Sequence, residues 1–485
     1  MAYKDLREFI SDLESHGMLK RITQEVDAHL EITEITDRVS KMKGAGNVAL
    51  LFENVKGYDM PVLMNAYGSD ERMAMALGVE KLDDIADEIR EILKLPYISL
   101  QNKMNLVSLI PMAKRAINFP KYVKSAPCQE VVEEHPSLDK IPILTCWPKD
   151  GGPFVTLPLV FTKNPKTGKR NVGMYRLQKY DAQTTGMHWH IHKNGAENYR
   201  DVKAAGGQRI EAAVAIGTDP ALTYAATAPL PRDIDEMVFA GFLRHKSVEL
   251  VKCRTVDLEV PAHAEIILEG YVDTEEKRWE GPFGDHTGYY SLADDYPVFH
   301  ITCITHRKDP IYFATVVGKP PMEDCYLAKA SERIFLPLLQ QMMPEIVDLH
   351  MPFEGVFHNC VIVSIKKSYP MQARKVMHAL WGMGQMMNVK MIIVVDAHVD
   401  VQDMREVSWR VFNNIDAKQD LEMVTGPLDV LDHSSPMPKW GTKLGIDATR
   451  KWPEEGHARE WPDEIEMSED IKRLVDAKWS SLGLD

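Results

Sequence analysis

The sequence predicts a mixed α/β and β protein in three parts: an N-terminal α/β unit, a middle antiparallel sheet or barrel, and a C-terminal α/β unit. Three observations predict it. Apolar residues at helical spacing alternate with short strand-like runs over roughly residues 1–95. Short strands separated by turns dominate from about 120 to 310. An apolar strand, a helix and a second apolar strand follow at 360–395, the grammar of a βαβ unit.

Leu6, Phe9, Ile10 and Leu13 recur at helical spacing and predict an amphipathic helix over 3–16, stopped at Gly17. Ile32, Ile35, Val39 and Met42 predict a second. Residues 48–53 and 61–65 read as short strands around the Lys56-Gly57 turn, Ser69 caps a short helix ending near Gly78, and 81–94 is another helix. Residues 95–140 are proline-punctuated and read as a linker packed on its neighbours. Strands are then expected at 157–162, 170–179 and 186–192, with turns at Asn164-Pro165-Lys166-Thr167-Gly168 and Asp181-Ala182-Gln183. More are expected at 211–216, 248–251, 264–271 and 298–305. Residues 326–342 are helical, 360–365 is an apolar strand, Pro370 opens a helix to about 386, and 391–395 reads as a parallel strand covered on both faces. The helix over 468–482 carries Ile471, Leu474, Val475 and Trp479 on one stripe, for docking on a partner subunit or on its own chain.

The totals exclude several classes. The 485 residues suffice for roughly two or three domains. With 71 acids against 57 bases and a formal charge of -14, the chain is no general nucleic-acid binder. Cys128, Cys146, Cys253, Cys303, Cys325 and Cys360 form no Cys-x-x-Cys pair, which argues against a disulfide framework or zinc ribbon and for a reduced compartment. The charged N-terminus lacks the apolar run of a signal peptide, and no apolar stretch approaches the ~18 residues of a membrane helix. A cytoplasmic protein is expected, with peripheral membrane attachment left open.

The stretch Trp279-Glu280-Gly281-Pro282-Phe283-Gly284-Asp285-His286-Thr287-Gly288-Tyr289-Tyr290 carries the strongest chemical signal. Glu280 and Asp285 flank two glycines, a proline and a phenylalanine, which disfavour a helix and favour a shaped loop. Such a loop can aim both acids into one partly dry cleft, where burial raises a carboxyl pKa toward that of a proton donor. A hairpin with two solvated acids is the plain alternative. His188, His190 and His192 share one face if 186–192 is a strand. They then suit a transition metal, a phosphate or a flavin ring, or simply form a polar barrel face. Arg176 is shaped to clamp a carboxylate, or to make a surface salt bridge, and Glu236 sits where a helix starts. The His-Glu-x-x-His, dinucleotide, P-loop and Gly-x-Ser-x-Gly patterns are absent, which weakens zinc-hydrolase, NAD, NTPase and serine-hydrolase readings.

Taken together, Tyr3-Lys4-Asp5-Leu6-Arg7, Gly17-Met18-Leu19-Lys20-Arg21-Ile22, Leu51-Phe52-Glu53-Asn54-Val55-Lys56-Gly57, Ala126-Pro127-Cys128, residues 141–148, residues 280–290 and residues 444–453 resemble the UbiD family of reversible decarboxylases over essentially the whole chain. The resemblance implies an N-terminal α/β domain with linker over 1–115. It implies a central flavin-reductase-like split β-barrel over 116–315 and a C-terminal α/β domain with an oligomerisation helix over 316–485. It implies prenylated FMN held by Met174, Tyr175, Arg176, His188, Trp189, His190, Lys193, Asn194 and, by a weaker match, Lys390. It implies Mn2+, with K+ as a further candidate ion, at Asn171, His192 and Glu236, and Arg176, Glu280 and Asp285 as the catalytic arginine and acids.

In the mechanism so implied, the cofactor captures the carbon bearing the carboxylate, Glu280 holds Arg176, Arg176 orients the carboxylate, and a neutral Asp285 protonates the carbon after carbon dioxide leaves. The expected substrate is 4-hydroxy-3-polyprenylbenzoate, giving 2-polyprenylphenol in ubiquinone biosynthesis. Asp285, where the acrylic-acid branch of the family commonly has Glu, leans this way. The His188-Trp189-His190 step, unlike the Arg-Trp-Leu of the proteobacterial ubiquinone enzyme, leaves a menaquinone-pathway acid or a simple hydroxybenzoate open. A flavin prenyltransferase as cofactor supplier and a homo-oligomer, hexamer or dimer, are further implications. A metal-dependent hydrolase and a non-catalytic carboxylase subunit are the readings from other classes.

Overall fold

A computed structural model of the chain describes residues 2–102, 118–189, 194–230 and 234–484. The first sheet has the order Leu19–Ile22, Ala49–Phe52, Val62–Met64, Tyr312–Phe313. Its last strand comes from nearly 250 residues further along the chain, so the N-terminal sheet is completed by a later segment. The helix Leu6–Ser15 buries Leu6, Phe9, Ile10 and Leu13, the predicted stripe. Asp5 caps it, accepting the Glu8 N–H at 3.0 Å.

The middle of the chain builds an antiparallel sheet in the order Thr184–Gly186, Asp294–His306, Ile266–Glu280, Arg209–Ile216, Leu159–Lys163, Arg170–Met174. Val131–Glu133 pairs with the far end of Asp294–His306. The pairing path is open, so no closed barrel forms among the described residues. Alternation puts Leu268, Val272, Phe299 and Ile301 into the core. Register shifts after Glu269 and Val272 re-aim the long strand so that its end reaches Glu280, opposite Asp294.

The C-terminal sheet has the order Ile346–His350, Cys360–Ile365, Met391–Asp396, Trp440–Asp447, Leu421–Pro427. Its three middle strands are parallel, and Cys360–Ile365 and Met391–Asp396 are covered on both faces, as their apolar runs require. The helix Glu323–Met342 links it to the rest, packing on Leu82–Asn102 and joined to it by an Arg333–Asp83 ion pair at 2.8 Å.

Several expectations are corrected. The helix expected to end near 94 runs to Asn102, so residues 95–102 are not linker. Of the strand expected over 186–192, residues 190–192 lie outside the described residues, and in the described part the pairing with Asp294–His306 ends at Gly186, with one last bond from the Met187 N–H to the Pro297 carbonyl. Residues 187–189 are irregular. Residues 170–179 split into Arg170–Met174 and Leu177–Gln178, the second pairing elsewhere, with Phe154–Val155. Pro370 lies before the helix Gln372–Trp381 rather than at its first position, and that helix ends well short of 386. The terminal helix Glu469–Trp479 leaves its stripe exposed, so it does not dock on its own chain. All six cysteines are free. Among the described residues no helix is long and apolar enough to cross a membrane.

Candidate active site

Arg176 lies in the link between the strands Arg170–Met174 and Leu177–Gln178. Glu280 ends the long strand Ile266–Glu280. Gly281, at φ +96, then turns the chain, a conformation side chains avoid. Phe283–Gly284 pairs with Tyr290–Ser291 to form a hairpin whose tip begins at Asp285. Gly284 must be glycine, because an added Cβ would stand 2.1 Å from the Trp147 ring. Asp150 pins the hairpin from below, accepting the N–H of Gly284 at 2.8 Å and of Trp147 at 2.8 Å.

These elements converge on one guanidinium. Arg176 donates from Nε to Glu280 Oε1 at 3.1 Å, from Nη1 to Asp285 Oδ2 at 2.6 Å and from Nη2 to Ser291 Oγ at 3.1 Å. Its carbon sits 4.5 Å from the centre of the Phe283 ring. Both acids are buried, Glu280 at 1% and Asp285 at 6% exposure. His188 Nδ1 lies 2.7 Å from the same Glu280 oxygen, and its ring stacks on Tyr296. Burial, only partly offset by Glu280, holds the His188 pKa below the ordinary imidazole value, so the neutral ring donates to the carboxylate. The other Glu280 oxygen is buried without a protein partner.

Asp285 is dry, as expected, but its surroundings favour the anion rather than the neutral acid. Burial raises its pKa, but the His286 hydrogen bond and the Arg176 charge outweigh that and hold the carboxyl well below the usual range. His286 supplies two donors to Asp285 Oδ1, its backbone N–H and its ring Nδ1, each at 2.8 Å. The ring's Nε2 lies 2.8 Å from Nε2 of His358, from the C-terminal unit. The sequence pattern assigns a role to neither histidine. His286 stands in the motif itself, but His358 is 72 residues away and no spacing points to it.

Asn171 and Glu236 meet at a second, buried place. Glu236 Oε2 accepts the N–H of Val172, the residue after Asn171, at 3.1 Å, and burial pushes the Glu236 carboxyl up to about 7. The amide nitrogen of Asn171 is buried without a partner. Among the described residues no cluster of three or more metal-ligating His, Cys, Asp or Glu occurs. His190, His192, Lys193 and the side chain of Asn194 lie outside what is described. Met174 and Tyr175 continue the strand toward Arg176, and Trp189 is buried with its indole N–H unpaired. Lys390 is engaged by Asp432, at 2.9 Å, and by Ser434, rather than standing free.

Models of one family match the chain in three consecutive blocks. They are the 3-octaprenyl-4-hydroxybenzoate carboxy-lyase N-terminal domain over residues 10–91, the Rift-related domain over 121–320 and the C-terminal domain over 325–448. The chain belongs to the UbiD family. It is a carboxy-lyase. An uncharacterized protein of Archaeoglobus fulgidus is 56% identical over 484 residues, 99% of each chain. One of Aquifex aeolicus is 51% identical over 485 residues, 100% of this chain and 99% of its own. Among solved structures, a vanillic acid decarboxylase of Sedimentibacter hydroxybenzoicus in closed form superposes with a TM-score of 0.87 at 28% identity, covering 100% of both chains. The UbiD-class enzyme HmfF of Pelotomaculum thermopropionicum in complex with FMN superposes at 0.79 with 29% identity, covering 97% of this chain and 99% of that one. Every UbiD domain is thus present, in order, around the Arg176 cluster.

Proposed function

We propose that the protein is a prenylated-FMN-dependent, reversible decarboxylase of an aromatic acid, with Arg176, Glu280 and Asp285 as its catalytic residues. The observation that carries this reading is one guanidinium hydrogen-bonded to two buried carboxylates, in a chain whose solved relatives include a vanillic acid decarboxylase and a structure in complex with FMN.

A guanidinium has five N–H groups, of which the protein uses three. The other two are left for the substrate carboxylate. Glu280 keeps Arg176 in place and is itself held by His188. Phe283 and Phe154 flank the guanidinium and keep water away from the carboxylate it orients. Asp285 holds the proton that replaces carbon dioxide. At rest it is an anion, so it must first receive that proton.

The residues fit the flavin and a metal. Trp189 offers a buried N–H without a partner, in the same core cluster as Tyr175. Glu236 offers a buried carboxylate and Asn171 a side-chain carbonyl oxygen, oxygen ligands that suit a hard ion such as Mn2+. Prenylated FMN, when bound, supplies the electron sink for the pair left by carbon dioxide. Tyr289 and Leu292, on or just beyond the Asp285 hairpin, are 59% and 91% exposed and give a hydrocarbon substituent a surface to lie on. They favour 4-hydroxy-3-polyprenylbenzoate as substrate. The exposed stripe of the terminal helix favours a homo-oligomer.

The test is co-expression with a flavin prenyltransferase, followed by flavin absorbance and carbon dioxide release from 3-prenyl-4-hydroxybenzoate, 4-hydroxybenzoate, 3,4-dihydroxybenzoate and vanillate. Release from the prenylated acid above the others is expected. Release only from an unprenylated acid reassigns the substrate, and no release from any acid by flavin-loaded protein overturns the function.

A further inference from the structure

We propose that His286 is the immediate proton source for Asp285, and that His358, contributed by the C-terminal unit, is the residue that positions it. The proposal rests on the reading of Asp285 as the group that protonates the substrate carbon. That reading leaves a gap, because an aspartate paired with Arg176 has no proton to give until a neighbour supplies one.

Among the described residues, the geometry offers one imidazole in contact with Asp285. His286 Nδ1 is 2.8 Å from Asp285 Oδ1, the oxygen that Arg176 does not hold. On the other side, Nε2 of His286 is 2.8 Å from Nε2 of His358. Only one hydrogen fits between those nitrogens, so one ring presents a bare lone pair. The charges nearby decide which. His286 faces Asp285 directly, Asp324 from the helix Glu323–Met342, and Asp429 from the C-terminal unit. The cation beyond it, Arg176, is on the far oxygen of Asp285. His358 faces the His286 ring, with Asp429, Asp285 and Asp432 as its other charged neighbours. His286 therefore carries the positive charge and donates from both nitrogens, and His358 is neutral and accepts. In keeping with this, the Asp285 hydrogen bond lifts the His286 pKa against the opposing effect of burial. Burial first, and then the His286 charge, push that of His358 down to about 4.

The backbone supports the same role. Val356 and Phe357 stand at φ 44 and 48, a region that β-branched and aromatic residues avoid. The strained turn presents His358, and the Phe357 ring stacks on His286 with centroids 5.3 Å apart. In the step itself, the Nδ1–H bond of His286 breaks, its electron pair stays on Nδ1, and an O–H bond forms at Asp285 Oδ1. Asp285 then passes that proton to the substrate carbon and becomes an anion again. The couple has lost one proton and no electrons. Water at the cleft restores the proton to His286, whose side chain is 20% exposed. Since His358 belongs to another unit, the donor is complete only when that unit is docked.

The test has two arms. Imidazole NMR of the flavin-free protein, titrated with pH, should show His286 titrating above ~6.5 and His358 neutral with its proton on Nδ1. His358→Leu should lower the His286 titration, while His358→Gln, which keeps an accepting oxygen, should hold it. In loaded enzyme, His286→Gln should slow deuterium entry from D2O into the product carbon about a hundredfold with unchanged KM, and should erase the alkaline limb of the rate. Wild-type His286 titrating at or below ~6.5, or an alkaline limb that survives in His286→Gln, overturns the proposal. Absence of turnover on every acid defeats the proposed reaction instead, and the NMR arm still decides the proton assignment.

Discussion

Replacing Arg176 by lysine keeps the charge and removes the fork. The guanidinium bonds Glu280 at 3.1 Å, Asp285 at 2.6 Å and Ser291 at 3.1 Å. One ammonium at the end of a lysine cannot span both carboxylates and still present two parallel N–H groups to a substrate. At least one bond to a buried protein carboxylate and one to the substrate are lost. Hydrogen bonds to charged groups contribute about 1.5–3 kcal/mol each, so the loss is about 3–6 kcal/mol. At 1.36 kcal/mol per decade this lowers kcat/KM about 10²–10⁴-fold. The assay is initial-rate carbon dioxide release, with flavin absorbance as the control for folding and loading. A lysine variant that retains flavin and stays within about tenfold of wild type would refute the claim that Arg176 clamps both the acids and the substrate.

Asp285→Asn should retain flavin and lose carbon dioxide release, and undiminished turnover would remove Asp285 from the scheme. On the proposed metal site, Glu236→Gln should lower the manganese content of purified protein, read by metal analysis, because a charged oxygen ligand is lost. Gly186→Ala places a Cβ 2.8 Å from the Tyr180 hydroxyl and 2.9 Å from the unpaired Glu280 oxygen. Overpacking of this kind costs about 1–3 kcal/mol and should lower both the melting temperature and turnover. His286→Gln should destabilise in a pH-dependent way, read by denaturant melts. The raised His286 pKa contributes stability that is full below its unfolded value of ~6.5 and lost as pH rises through the folded value. The depressed Asp285 pKa contributes above ~3.9 and is lost as pH falls through the folded value. The deficit of the variant should therefore be greatest between about pH 4 and 6.5 and shrink toward alkaline pH.

Part of this architecture is written in local patterns. The stripe Leu6, Phe9, Ile10, Leu13 specifies a buried helix face wherever that helix docks. The apolar runs at Cys360–Ile365 and Met391–Asp396 specify strands covered on both sides. Gly281, Pro282 and Gly284 specify a shaped loop rather than a helix between Glu280 and Asp285. Over its described part, 187–189, the strand expected at 186–192 fails for the complementary reason. Alternation is a property of one chain, but a strand exists only where a partner offers its hydrogen bonds, and the pairing of Thr184–Gly186 with Asp294–His306 ends at Gly186.

The charges divide in the same way. Residue types alone name two acids in one motif and an arginine far from it in the chain, and so the kind of chemistry within reach. They do not set its protonation. Asp285 is an anion because a guanidinium 109 residues away and a neighbouring imidazole lie within 2.8 Å of its oxygens, and that imidazole is oriented by a histidine from another unit. Electrostatic interaction falls with distance through space and grows with burial, and neither quantity is fixed until the chain has folded.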